Sequence, residues 1–258
     1  MRPSKVIQAR RLTMNPKFAS YIPGTRVMSR RNLKQYLRKY RMVYVKPDVG
    51  VAGKGVMKVW KQKKGSKKFR YKVGYRSRKF SSFPRMYRSI LYNRRRTKRT
   101  RKYIVQRGIR LLKYRKRWTD IRVWVQKNKK NDWVVTGMVV RVSKRGKIIT
   151  NNHGGGSVTS VSKLLRHLPK SRRKRVIREI TRLSRAIAED MDGRFTLKRG
   201  VGVDIGLDRK YRPWIIEVNT HSPGLDVFRK LGNRAAIKRI RSLLKYRGGY
   251  LGWKDRMR

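Results

Sequence analysis

Hydrophobic positions along this chain alternate with polar ones in several short stretches. Alternation predicts a strand, because successive side chains of a strand point to opposite faces of a sheet. In the stretch DIRVWVQ (120–126), for example, every second residue is Ile or Val. This pattern, together with enrichment in β-branched and aromatic residues, predicts strands at 42–47, 55–60, 103–109, 120–126, 133–143, 147–152, 201–206 and 214–219.

The predicted strand 147–152 is expected to fold back on 133–143 as a hairpin. Only the residues Lys-Arg-Gly separate the two runs, and a glycine in such a short connection favours a tight turn. The stretch HGGGS that follows is predicted to be a flexible turn, because consecutive glycines leave the backbone unrestricted.

Two other segments have helical periodicity. Between about residues 169 and 190, apolar residues recur four, three and four positions apart, which predicts an amphipathic helix with Arg and Lys on its outer face. These apolar residues are Val176, Ile180, Leu183 and Ile187. The run NRAAIKRIRSLLKYR (233–247) predicts a second helix. The order of elements, without internal repeats, predicts an α+β fold with largely antiparallel strand pairs.

Charge is the most unusual feature of the composition. The 258 residues include 75 Lys and Arg against 12 Asp and Glu, which gives a formal net charge of +63. Self-repulsion at this charge favours an anionic partner, so we expect binding to an acidic protein, an acidic polymer or, without sequence specificity, nucleic acid. Since 38% of the residues are hydrophobic, the chain can still bury a core and disorder is not expected.

Cysteine and apolar content exclude several classes of protein. The absence of cysteine excludes a disulfide framework, a Cys-ligated zinc site and thiol catalysis. With three His, a metal site would use mainly oxygen ligands. No apolar run is long enough to span a membrane, and the basic N-terminal stretch has no apolar core like that of a signal peptide. We therefore expect a soluble, intracellular protein without a membrane span.

Acidic residues are concentrated in one part of this basic chain. Seven of the twelve fall within the segment 189–226, and only Asp48 lies in the N-terminal third. Asp204 and Glu217 lie at the ends of two apolar predicted strands, and Asn219 shares a face with Glu217 because one residue separates them. Three such oxygen donors suit Mg²⁺. The alternative, a buried carboxylate satisfied by Arg, stays open at this stage.

A glycine-rich stretch, KPDVGVAGKGV, runs from the end of the predicted strand 42–47 into the next predicted strand. Three glycines would let its backbone approach phosphate oxygens, and Lys46 and Lys54 would neutralise them. The glycine spacing does not match the Walker pattern of P-loop proteins. An ordinary hairpin turn is therefore the alternative interpretation.

Several tyrosines are interleaved with Arg and Lys in the N-terminal half. This arrangement is typical of base-stacking platforms in nucleic-acid-binding proteins. Because no helix-turn-helix, zinc-finger or RNP signature accompanies it, core packing with cation–π contacts is the favoured interpretation. The residues are Tyr71, Tyr75, Tyr87, Tyr92 and Tyr103.

These stretches together resemble the ATP-grasp superfamily, and their order and spacing are most similar to its endospore coat-associated YheC/YheD branch. The resemblance spans nearly the whole chain. It rests on eight motifs in sequence: SK with YIPGT, VYVKP with the glycine loop, YIVQRGI, DIRVWVQ, TGMVVRV, TNNHGGG, VGVDIGLD and WIIEVN. The ending EVN…SPGL is also similar to ribosomal-protein glutamate ligases.

The resemblance implies an ATP-grasp fold, with two α+β subdomains that hold ATP between antiparallel sheets. A smaller, ATP-binding subdomain would cover about residues 28–107 and a larger subdomain with the metal site about 108–258, within one ATP-grasp domain of residues 1–258. The N-terminal domain that usually precedes this fold would be absent.

The same resemblance implies which residues bind the nucleotide. Lys5 and Lys46 would contact the ATP phosphates, and the backbone around Val105 and Gln106 would hold the adenine. The glycine loop would fold over the phosphates through Gly50, Gly53, Lys54 and Gly55.

Catalytic and metal-binding roles follow from the resemblance in the same way. Arg141 would contact the γ-phosphate and the transferring group, with Asn151 nearby. Asp204, Glu217 and Asn219 would bind Mg²⁺.

In the enzymes that the chain resembles, ATP phosphorylates a carboxylate and an amine then attacks the acyl phosphate to form an amide. The resemblance thus implies a MgATP-dependent carboxylate–amine ligase that acts on an acidic protein or polymer, in association with the spore. The alternative is a catalytically inactive ATP-grasp scaffold that binds polyanions such as nucleic acid, or that is a structural protein of the spore.

Overall fold

The computed structural model describes residues 4–50, 53–62, 65–96, 102–150, 155–193, 197, 200–220 and 225–246. The chain divides into two compact units. The first unit contains Met1–Arg110 and Ser143–Gly156, and the second contains Leu111–Val142 and Ser157–Arg258. Within the described ranges, no helix is both long enough and apolar enough to cross a bilayer.

The first unit is built around a six-stranded antiparallel sheet. Its strands are β1 (Thr25–Val27), β2 (Met42–Pro47), β3 (Met57–Lys61), β4 (Phe69–Val73), β5 (Arg76–Phe80) and β6 (Tyr103–Arg107). They lie in the order β1-β6-β2-β3-β4-β5. Its helices are α1 (Lys5–Met14), α2 (Pro16–Ala19), α3 (Arg30–Lys39) and α4 (Phe83–Arg96).

The core of the first unit lies between this sheet and the helices α3 and α4. Leu33 and Leu37 are one turn apart on α3, so they share a face and pack with alternate residues of β2. Met86 and Ile90 are spaced in the same way on α4 and belong to the same buried cluster. Neither helix was predicted from the sequence, because five basic residues outnumber three apolar ones in α3 and five arginines are interspersed with the apolar positions of α4.

Two of the interleaved tyrosines are part of this core. Tyr71 and Tyr103 are fully buried, and the Tyr71 hydroxyl accepts a hydrogen bond from Asn93 Nδ2 at 2.7 Å. Arg94 lies over the Tyr103 ring, 5.0 Å from its centroid. Core packing is therefore confirmed for both rings and a cation–π contact for Tyr103, whereas Tyr92 is exposed.

The second unit is built around a second antiparallel sheet. Its strands are β7 (Lys113–Tyr114), β8 (Arg117–Lys127), β9 (Trp133–Val142), β10 (Ser157–Thr159), β11 (Val201–Leu207) and β12 (Pro213–Asn219). The order is β10-β9-β8-β11-β12, with β7 paired to β8. The helices are α5 (Val161–Leu164), α6 (Lys170–Asp192), α7 (Asp226–Leu231) and α8 (Arg234–Tyr246).

Helices α7 and α8 pack on the face of the second sheet that carries Trp124 and Val139. The aromatic rings of Trp124 and Phe228 meet edge to face, with their centroids 6.0 Å apart. Because side chains alternate along a strand, Arg122 lies on the same face of β8 as Trp124. The opposite face of β8 carries the buried residues Ile121, Val123 and Val125.

Gly137 is required where β9 meets α7. A Cβ atom at this position would lie 2.5 Å from Cε1 of the fully buried Phe228. Gly137→Ala is therefore expected to lower the free energy of unfolding by about 1–3 kcal/mol through overpacking. Urea denaturation would measure this loss.

The control for Gly137→Ala is Gly193→Ala, because a Cβ atom there would meet no atom within 4 Å. Equal stability of the two variants would contradict the packing argument.

The predicted hairpin between 133–143 and 147–152 is wrong over the described part of its second strand. Residues 147–150 are not a strand, and β9 pairs with β10 instead. The Lys-Arg-Gly turn does form, with the Lys147 N–H donating to the Lys144 carbonyl at 3.0 Å. The apolar residues that follow pack elsewhere: Ile148 is buried, and Ile149 lies against Gly53 in the first unit. Residues 151 and 152 lie outside the described ranges.

Candidate functional site

Asp204 and Glu217 are direct cross-strand partners. β11 lies between β8 and β12, so Asp204 pairs with Arg122 on one side and with Glu217 on the other. Such partners project from the same sheet face, and Asn219 follows on that face two residues beyond Glu217. A β-bulge comes directly after the pair, since Ile205 pairs with Ile215. Bulges of this kind re-aim side chains near functional sites.

Two guanidinium groups bind the Asp204 carboxylate. Arg122 donates through Nε to Oδ1 and through Nη2 to Oδ2, the latter at 3.1 Å. Arg141 Nη2 lies 2.9 Å from the same Oδ2. Arg141 also forms a bidentate pair with Asp120, with both nitrogen–oxygen distances 2.7 Å. Asp120, Arg141 and Asp204 are all buried. The result is a continuous network in which arginines and acids alternate, in the order Arg122, Asp204, Arg141 and Asp120.

The network sets the ionisation of its members. Burial alone would raise the pKa of the Asp204 carboxyl, but the charges and hydrogen bonds of Arg122 and Arg141 hold this pKa below its ordinary value. Burial would likewise lower the pKa of the Arg141 guanidinium, and the charges of Asp120 and Asp204 raise it instead. Asp204 and Arg141 are therefore both ionised at neutral pH.

The structure agrees with the alternative interpretation of Asp204, a buried carboxylate satisfied by Arg, and leaves only its remaining acceptor position for a cation. A carboxylate offers about four acceptor positions, and the two arginines use three of those on Asp204. The Asn219 side-chain nitrogen Nδ2 lies 3.5 Å from the Gly202 carbonyl oxygen. The side-chain oxygen of Asn219 therefore points away from Gly202. Among the described residues, no three His, Cys, Asp or Glu side chains form a metal-binding group. Protein ligands for Mg²⁺ would therefore be Asp204, Glu217 and the Asn219 amide oxygen, with water or phosphate oxygens completing the shell.

In the first unit, Lys5 and Asp48 join the start of α1 to the glycine loop. Lys5 Nζ donates to the carbonyl oxygens of Asp48 and Gly50, at 3.3 and 3.4 Å. The buried Asp48 carboxylate accepts the Val6 N–H at 2.9 Å. Sequence reasoning noted Asp48 only as an isolated acid, and its isolation in a basic segment was the available signal.

The glycine loop packs closely on its own unit. Gly53 and Gly55 have φ of 66° and 75°, the left-handed region that favours glycine. A Cβ atom at Gly55 would lie 2.8 Å from the Tyr103 hydroxyl oxygen. Of the two loop lysines, Lys46 is buried on β2 and Lys54 is exposed.

The other predicted residues are placed as follows. Val105 and Gln106 lie on β6 between β1 and β2, so their backbone faces a partner strand on each side. The Gln106 side chain donates to Thr25 Oγ1 at 2.9 Å. Asn151 lies outside the described ranges. Sequence reasoning missed Asp120 and Arg122 as site residues, although both lie in the stretch whose alternation was recognised.

A family model for YheC/D like ATP-grasp proteins matches residues 3–249. Endospore coat-associated protein YheD of Bacillus subtilis (strain 168) is 24% identical over 220 residues, which cover 84% of this chain and 47% of that protein. Endospore coat-associated protein YheC of the same organism is 24% identical over 212 residues, or 79% of this chain and 55% of that protein. The chain thus spans about half the length of the curated relatives it matches.

Among solved structures, the chain is similar to N5-carboxyaminoimidazole ribonucleotide synthetase from Thermotoga maritima. The similarity has a TM-score of 0.48 and 10% sequence identity, and it covers 93% of this chain and 48% of that one.

Proposed function

Because this chain belongs to the YheC/D-like ATP-grasp family and has an ATP-grasp fold, we propose that it is a MgATP-dependent ligase that joins a carboxylate to an amine through an acyl phosphate. The observation that carries the proposal is the pairing of Asp204 with Glu217 on the sheet face that also holds Arg141. Two carboxylates and an amide oxygen can hold a metal ion, and an arginine on the same face can stabilise charge on a transferring phosphoryl group.

Each group has a proposed task. Asp204, Glu217 and Asn219 hold the cation, which neutralises charge on the phosphates when it is bound. Arg141 contacts the γ-phosphate. Its described contacts with Asp120 and Asp204 use Nε and Nη2, so Nη1 is the guanidinium nitrogen that we propose for the contact with the substrate. Asp120 acts through Arg141 by holding its guanidinium in one orientation.

The nucleotide contacts of the first unit are proposed on similar grounds. Lys5 is already oriented toward the glycine loop by its contact with the Gly50 carbonyl. A phosphate placed at that loop would meet Lys5 together with Lys46, and the exposed Lys54 would close over it. The adenine would lie at β6, near Val105 and Gln106.

Charge and relatives support a proposal for the substrate and its setting. A chain with a net charge of +63 attracts acidic molecules, so the acceptor is proposed to be an acidic protein or polymer. The relatives YheC and YheD are described as endospore coat-associated, which supports a role in the spore.

The test of this function is nucleotide-dependent stabilisation of the wild type and of Glu217→Gln. At 100 times its dissociation constant, MgATP should stabilise the wild type by about 2.7 kcal/mol, a shift of several degrees in Tm. Glu217→Gln should keep the shift given by ATP alone and lose the Mg²⁺-dependent part, because Gln is a neutral and weaker ligand. Thermal unfolding with ATP, Mg²⁺ and both measures each part.

The control for this test is Glu189→Gln, since Glu189 is exposed on α6. It should respond to MgATP as the wild type does. A Glu217→Gln protein that keeps the whole MgATP shift would refute the metal site. If the wild type itself does not respond to nucleotide, the inactive scaffold is the correct interpretation.

A further inference from the structure

The second unit contains a basic groove between the N-terminal half of α6 and the turn that joins β11 to β12. Its volume is about 1060 Å³. Seven of its eleven lining residues are Lys or Arg, and one, Glu179, is acidic. The sequence shows a large positive charge but not where on the surface it lies. In this groove, part of that charge lines a concave surface.

The helix wall of the groove is a row of exposed cations. Lys170, Lys174 and Arg178 are four residues apart, so they lie on one face of α6, about 6 Å from one to the next. Arg175 adds a fourth positive charge beside them. Like charges at this spacing destabilise a helix. An anion in the groove removes that repulsion.

The turn wall of the groove is held in place by Asp208. Its carboxylate accepts the backbone N–H groups of Lys210 and Arg212, at 2.8 and 3.1 Å, and the Trp214 indole N–H at 3.0 Å. Asp208 is therefore used to shape the turn. The side chains of Lys210 and Arg212 line the groove and add positive charge opposite the helix.

Tyr211 connects the two walls. Arg172 of α6 lies over its ring, 5.0 Å from the centroid, and its hydroxyl is 2.7 Å from His167 Nε2. Because Arg172 lies over one face of the ring, Tyr211 orients an arginine and does not offer that face to a base. The groove therefore offers mainly positive charge and hydrogen-bond donors, which suit a phosphate backbone.

We propose that this groove binds the phosphodiester backbone of single-stranded nucleic acid without sequence preference. A tetrahedral phosphate accepts hydrogen bonds from donors on both walls, whereas the acceptor positions of a carboxylate lie in one plane. Four of the seven basic residues are Arg, the side chain best suited to phosphate. The volume corresponds to a cube about 10 Å on a side, which admits one strand. A whole B-form duplex does not fit, since the depths of its two grooves, about 8.5 and 7.5 Å, together already exceed about 10 Å.

The experiment measures binding of labelled oligodeoxythymidylate by fluorescence anisotropy over a range of salt concentrations, without ATP or Mg²⁺. The groove variant is Lys174→Gln/Arg175→Gln/Arg178→Gln. The control is Arg30→Gln/Arg31→Gln/Lys34→Gln on α3, which removes one Lys and two Arg at the same relative spacing from exposed positions. Both proteins are first purified free of nucleic acid at high salt.

The groove variant should bind about tenfold more weakly, or worse, at physiological salt. Its plot of log K against log salt should be shallower by about 2, from 0.7 for each lost phosphate contact on a single strand. The control variant should keep nearly the wild-type slope. The single variant Lys210→Gln tests the opposite wall and should reduce the slope by about 0.7. Equal losses in the groove and control triples would overturn the proposal, because binding would then be spread over the whole surface.

Competition identifies the ligand. Unlabelled oligodeoxyadenylate should displace the probe as well as oligodeoxythymidylate does. Preferential displacement by polyglutamate would reassign the groove to an acidic polypeptide, and preferential displacement by duplex DNA would reassign it to duplex binding. Either result overturns the proposal. The outcome is independent of the proposed ligase activity, because neither ATP nor Mg²⁺ is present.

Discussion

Asp204→Asn is expected to lower the free energy of unfolding by about 3–5 kcal/mol in buffer containing EDTA. The substitution removes one negative charge from a buried network and leaves the positive charges of Arg122 and Arg141 poorly compensated. Asn also offers a single acceptor oxygen where the carboxylate accepts from both guanidinium groups. Urea denaturation measures the loss.

The control for Asp204→Asn is Asp192→Asn. Asp192 pairs with Lys127 at the surface, and about a quarter of each side chain is exposed, 27% and 23% respectively. Its loss should change stability by only about 0–1 kcal/mol. Similar losses in the two variants would show that burial does not strengthen the Asp204 interactions.

The difference between wild type and Asp204→Asn should depend on pH in a definite direction. The pKa of Asp204 is lowered in the folded protein, so its stabilising contribution is fully present above the unfolded pKa of about 3.9. The contribution is lost as pH falls through the lower, folded pKa. Because Asn does not titrate, the two unfolding free energies should converge in acid. A constant difference between neutral and acidic pH would contradict the ionic assignment.

Arg141→Lys is expected to raise the dissociation constant for MgATP by about 10- to 100-fold. A lysine keeps the positive charge but cannot bind Asp120 with two parallel bonds and still present a nitrogen to the γ-phosphate. The loss corresponds to one charged hydrogen bond, worth about 1.5–3 kcal/mol. Isothermal titration calorimetry with a non-hydrolysable ATP analogue measures the change.

Arg122→Lys is the matched comparison for this second prediction. Arg122 also makes a forked contact with Asp204, but it has no proposed contact with phosphate. The two variants should therefore lose similar stability, while only Arg141→Lys loses nucleotide affinity. If both lose affinity equally, Arg141 acts only through the structure of the network.

Much of the fold could be predicted because its signals are local. Residues 120–126 alternate between apolar and polar, and the apolar residues of α6 recur four, three and four positions apart. Both patterns reflect which side of a strand or helix a residue faces. The structure confirms both elements. Helices α3 and α4 were missed for a corresponding reason. Their many Arg and Lys residues weaken the apolar periodicity, and packing against the first sheet decides their structure.

The sequence by itself determined most of the strand-forming runs, the ATP-grasp motifs and the shared face of Glu217 and Asn219, since these depend on residue type and close spacing. Only the tertiary structure decided which arginines bind Asp204. Arg122 and Asp204 are 82 residues apart in the chain, and strand register sets their pairing. The basic groove likewise exists only because the β11–β12 turn faces α6. Composition counts charges, but folding determines which of them share a surface.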